Sequence, residues 1–170
     1  MRSEMRIEIV KQLDGAGVLR CIRENGSVTW QKQARHAAHF ALHDLTHFAV
    51  ETALDYQQGF FGLVAAGWEV EDTTGQSGRV LPDEALEVEK MVGLFDAERA
   101  SGVVWSAEEF GAFAPRALSE DELRRVRALR AELFGQWAAI APGEKLGLTF
   151  GGQACASASL VDSDDFSYQH

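Results

Sequence analysis

The stretch HFALHDLTHFAVE, residues 39–51, places His39, His43, His47 and Glu51 four apart, with His36 and Asp44 beside them. Imidazole nitrogens alternating with carboxylate oxygens form a donor set that suits a divalent transition metal. On a helix turning 100° per residue, with His39 at zero, His43 falls at about 40°, His36 at about 60°, His47 at about 80° and Glu51 at about 120°. These residues make one polar stripe, while Ala41, Leu45, Phe48 and Ala49 lie on the other side. From His36 to Gly78 there is no Lys or Arg. A solvated helix face ordinarily carries several, so the stripe is expected to face a cleft, a cavity or a partner.

Geometry limits what the row can do. Residues four apart rise about 6 Å along the axis, so one adjacent pair can converge on an ion, whereas His39 and His47, about 12 Å apart, cannot. One ion could take His39 with His43, His43 with His47, or His47 with Glu51, and its remaining ligands must come from another element. The candidate metal ligands are therefore His39, His43, His47 and Glu51, with zinc as the first candidate ion. Two other readings compete. Buried histidines can hydrogen-bond carboxylates or carbonyls and bind nothing, and clustered imidazoles can form a pH-sensitive network.

His-Asp-Leu-Thr-His, residues 43–47, resembles the H-E-x-x-H helix of the zincin metallopeptidases over those five residues. The resemblance implies that His43 and His47 bind zinc and that the intervening acid, here Asp44, activates the bound water as a catalytic base for hydrolysis. Asp44 stands where that family has Glu and is one methylene shorter, which bears on the base role more than on the metal role. The resemblance further implies a carboxylate ligand on the following helix, where Glu84, Glu87 and Glu89 are candidates.

The elements that must position these residues follow from pattern. Met5 to Lys11 alternates apolar and polar, LDGAG supplies a turn, and VLRCIRENGSVTW gives two alternating runs around Asn25-Gly26. That pair suits a type I′ hairpin turn, so residues 4–33 read as a three-stranded antiparallel meander. The pattern changes to helix from about Gln33 to Gln57, with a further turn or two in GFFGLVAAG (59–67). Residues 69–80 are polar and glycine-bearing and read as a loop. A helix starting at Pro82, with Asp83 and Glu84 in its first turn, runs to about Ala100. Ser106 opens a short helix, and Ser119 with Glu122 forms a capping box that starts another to about Ile140. LGLTF, 146–150, returns as a strand. The fold class is α+β: an antiparallel sheet with helices packed on it.

The whole chain bounds the function. At 170 residues, with 46% hydrophobic and 25% charged residues, it fits a single domain over 1–150 followed by a flexible tail over 151–170. A net charge of −10 disfavours nucleic-acid and anionic-membrane partners. Cys21 and Cys155 make no disulfide framework and lack C-x-x-C spacing, and Cys21 reads as a small core residue. MRSEMRIEIV carries charges where a leader's apolar region would lie, and the longest apolar run is too short to span a bilayer, so a cytoplasmic location is expected. No nucleotide-binding or nucleophile-elbow motif is present. Arg130 can reach a carboxylate or lie along the core edge. Arg124, Arg125 and Arg127, following Glu120 to Glu122, read as solvated charges. Two function classes remain: a metal-binding protein with a His/carboxylate site, acting on a small-molecule or peptide substrate if it is a hydrolase, or a non-enzymatic binding or interaction domain, for which a homo-oligomer such as a dimer is one option, whose histidines form a structural or pH-sensitive network.

Overall fold

The computed structural model describes residues 3–32 and 37–151. His36 and residues 152–170 of the expected tail lie outside them. The elements run β1 (Met5–Lys11), β2 (Gly17–Arg23), β3 (Val28–Lys32), α1 (Ala37–Ala53), α2 (Phe60–Ala65), a 3-10 turn (Val70–Thr74), α3 (Asp83–Ser101), α4 (Ala107–Gly111), α5 (Glu120–Ala139) and β4 (Lys145–Phe150). The architecture is α+β, as the patterning implies. The strands form one sheet in the order β3-β2-β1-β4, with every neighbouring pair antiparallel.

Alternation along the strands decides which face carries the helices. Met5, Ile7 and Ile9 on β1, Leu19 and Cys21 on β2, and Leu146, Leu148 and Phe150 on β4 are buried in one contiguous apolar cluster. Ile7 sits opposite both Cys21 and Leu148 in the register, so the strands present this apolar row together. On the opposite face Glu8 lies among Arg6, Arg20 and Lys145, and Trp30 is largely exposed. Among the described residues no helix is long and apolar enough to cross a membrane.

The β2–β3 connection departs from the type I′ expectation. Gly26 takes φ of +84°, but Asn25 is not in the positive-φ region. Arg23 N–H donates to Ser27 O at 2.9 Å, and Gly26 N–H donates to Arg23 O at 2.9 Å. This closes a three-residue turn with one left-handed glycine. The Asn25 side chain instead accepts from Ser27 N–H at 2.9 Å, so it braces the turn with its amide oxygen rather than by taking an unusual backbone angle.

α1 packs on the sheet at β2 and against α2, α3 and α5. Its apolar side, Ala41, Leu45, Phe48 and Ala49, is buried, and the Phe48 ring meets Phe61 and Phe150 edge-on. The chain leaves α1 through Asp55, whose φ of +59° makes it the one non-glycine positive-φ residue described. Tyr56 N–H then donates back to Glu51 O at 3.0 Å, ending the helix in the way a left-handed residue permits. The 69–80 segment is not all loop: Glu69 and Asp72 cap each other's backbone N–H groups and fold Val70–Thr74 into a 3-10 turn. This local capping produces no apolar period, so patterning alone misses it. Pro82 is the N-cap of α3 rather than its first helical residue. Ser119 caps α5 through the box expected of it, and Ser106, expected to open α4, does so through a box with Glu109.

α3 and α5 are joined by a buried acid. Glu98 accepts from Arg127 and from Trp105 N–H (3.1 Å), and Arg130 lies at 3.3 Å. Arg127 is therefore not a solvated charge: its guanidinium serves a carboxylate that is only 2% exposed. Arg130 does reach a carboxylate, while also donating to Phe95 O at 3.0 Å.

Candidate metal site

α1 and α3 lie side by side, and their facing polar residues meet in a fixed order. His47 places Nδ1 3.3 Å from Glu51 Oε2 and Nε2 3.2 Å from Glu89 Oε1. One turn earlier, His43 Nδ1 lies 2.6 Å from Asp96 Oδ2. One ligand atom from each of His43, His47 and Glu89 lies within 4.8 Å of the others, which is within reach of a shared ion after modest adjustment. Among the described residues this is the only group of three or more such side chains found at that spacing. The His43 and His47 rings are 4.8 Å apart and nearly perpendicular.

Burial grades across the group. The side chains of Glu51 and His47 are 0% and 3% exposed, those of His43 and Glu89 29% and 47%. Glu51 forms the floor. Besides His47, it accepts from Phe61 N–H at 3.3 Å and Gly62 N–H at 3.1 Å. Gly59 makes room for it, because a Cβ there would sit 2.4 Å from the carboxyl carbon. The GFFG segment thus binds the Glu51 carboxylate with backbone donors and leaves it no space for a larger neighbour.

The charges respond to this arrangement. Burial opposes charging of His47, but the hydrogen bonds and charges of Glu51 and Glu89 outweigh it and carry its pKa up to about 10. Burial likewise works to raise the Glu89 and Asp96 carboxyls, yet the histidines hydrogen-bonded to them hold both below the usual carboxylate range. Glu51 and Glu89 thus both favour the charged form of His47.

The sequence-derived candidates divide by placement. His43 and His47 come together with Glu89, one of three α3 carboxylates considered. His39 is exposed, stacked at 6.1 Å on His43, with Nδ1 3.5 Å from an Arg99 nitrogen. Glu51 meets His47 but lies outside the three-residue group. Asp44 is buried, and its charge acts on the thiol of Cys21 on the sheet. That thiol is pushed up to about 12, chiefly by burial and then by Asp44. Asp96 was not anticipated. The available signal was its spacing of seven from Glu89, two helical turns along the same face of α3.

Compared with protein-family models, curated proteins and solved structures, the chain matches none of them.

Proposed function

We propose that this chain is a small metal-binding protein whose ion is held by His43, His47 and Glu89, with zinc the first candidate. The observation that carries the reading is the approach of those three ligand atoms to within 4.8 Å of one another. The 3.2 Å between His47 Nε2 and Glu89 Oε1 is close to the edge of about 3.4 Å that two bonds of about 2.0–2.1 Å make at a tetrahedral zinc. Asp96 occupies Nδ1 of His43, which leaves Nε2 for the ion, and Glu51 sits at Nδ1 of His47. A carboxylate on the far nitrogen is the usual device for fixing a ligating imidazole's orientation. On this reading Glu51 and Asp96 orient ligands, and His39 and Asp44 stand outside the coordination shell.

A bound divalent ion supplies Lewis acidity and lowers the pKa of a coordinated water to about 7, which is the basis for a hydrolase reading. The chain's part is to aim two imidazoles through Asp96 and Glu51, and to offer Glu89 as the anionic donor. A second reading has its own support. Both nitrogens of His47 already have carboxylate partners, so a non-enzymatic domain could keep this network as an internal ion pair.

Elemental analysis separates the two. Protein purified without a polyhistidine tag, incubated with zinc and desalted, is expected to retain about one ion per chain. Glu89→Ala and His47→Ala, checked for native circular dichroism, are expected to retain almost none. Wild-type protein that keeps no metal after loading would overturn the metal reading and leave the ion-pair network.

A further inference from the structure

We infer that an ion held by His43, His47 and Glu89 keeps one coordination position open to solvent, and that this position takes a small anionic oxygen or nitrogen donor. The inference rests on the metal-binding reading above. Three observations lead to it.

The first is the donor count. Among the described residues, no fourth His, Cys, Asp or Glu joins the group. Two further carboxylates contact the histidines without joining the group: Asp96 meets His43 Nδ1 and lies 3.6 Å from Arg99, and Glu51 meets His47 Nδ1 and accepts from two backbone N–H groups. A four-coordinate ion with three protein ligands keeps a site for an exogenous one.

The second is the direction of burial. The exposed members, His43 at 29% and Glu89 at 47%, lie toward water, and the closed floor is formed by His47 and Glu51. Gly93 lies one turn beyond Glu89 and three residues before Asp96, on the same side of α3. It is exposed, and a Cβ built on it would meet nothing within 4 Å. Gly135 on α5 is equally open, so openness alone decides nothing. Gly93 differs in standing between the two carboxylates that serve the histidines. A side chain at this position leans toward the helix N-terminus, that is, over Glu89.

The third is charge. Among the atoms that would bond the ion, two neutral imidazoles and one carboxylate leave a divalent ion a formal charge of +1, which Glu51 and Asp96 offset only from the far side of the imidazole rings. A small anion such as hydroxide or azide neutralises that remaining charge at the ion itself.

Cobalt(II) and azide test this directly. Wild-type protein loaded with cobalt is expected to bind about one ion per chain, and azide is expected to shift its visible bands saturably. Gly93→Phe, with Gly93→Leu as the smaller substitution, is expected to keep the cobalt while weakening azide at least about tenfold. If cobalt binds and azide leaves the spectrum unchanged, the coordination shell is closed and the inference fails while the metal reading stands. If azide binds both Gly93 variants as tightly as wild type, approach over Gly93 is overturned. Failure of the wild type to bind cobalt overturns the metal reading and this inference with it.

Discussion

Glu51 and Glu98 are both buried carboxylates on helices, at 0% and 2% exposure, yet they are neutralised by different chemistry. Glu98 sits between the guanidinium groups of Arg127 and Arg130 and a backbone N–H. Arginine does not give up its proton in a protein and is a poor metal ligand, so that centre has one state. Glu51 sits against His47 and two backbone N–H groups. Histidine can exchange its proton for a metal, so on the proposed metal-binding reading that centre has two. The same problem, a carboxylate taken out of water, is solved once permanently and once reversibly. The reversible solution stands where the surface opens.

Three changes probe that contrast. The largest effect is expected from Glu98→Ala, which leaves two largely buried guanidinium groups without their counter-charge. Removing one partner of a buried pair should cost about 3 kcal/mol, read from urea unfolding at neutral pH. A loss within experimental error would mean that water or neighbouring acids replace Glu98, and the centre would not be the permanent one. Next comes Gly59→Ala, whose methyl would meet the Glu51 carboxyl carbon at 2.4 Å. Overpacking a closed floor should cost about 2 kcal/mol and also lower zinc retention, because His47 loses its anchor. Full zinc retention in a destabilised Gly59→Ala protein would separate Glu51 from the metal site.

The smallest effect is one of pH. The Glu98 carboxyl is held below its usual range by Arg127, Trp105 N–H and Arg130, against the effect of burial. A depressed folded pKa gives stability that is fully present above the unfolded value, about 4.3, and is lost as the pH falls through the folded one. Wild type is therefore expected to lose stability on acidification below that point more steeply than Glu98→Gln. Parallel acid limbs in unfolding measurements at stepped pH would contradict the assignment.

Most of the architecture was legible because it is written in short-range pattern. Met5, Ile7 and Ile9 alternate with polar neighbours, and Ser106 and Ser119 each precede a glutamate by three residues. The strands and the starts of two helices follow locally from these. The site was half legible for the same reason: His43 and His47 share a helix face by their spacing alone. Glu89 could not be chosen over Glu84 or Glu87, because the rotation of α3 about its axis against α1 is set by packing among Val88, Met91, Val92 and Phe95. The burial of Glu98, and with it the role of Arg127, depends in the same way on how α3 meets α5. Asn25-Gly26 misled for the opposite reason. The pair is locally compatible with two turn types, and the register of β2 with β3 chose between them.

α1 has no acidic residue in its first turn and no basic residue in its last, whereas α5 begins with a reciprocal cap and three acids. Helices lacking end charges form little structure in isolation, and their stability is tertiary. The histidine helix therefore takes its stability from its packing on the sheet, α3 and α5. Any local opening that frees α1 dismantles the histidine pair and its carboxylates together. An ion bound there, as proposed, would therefore add to the stability of the whole unit in proportion to its occupancy.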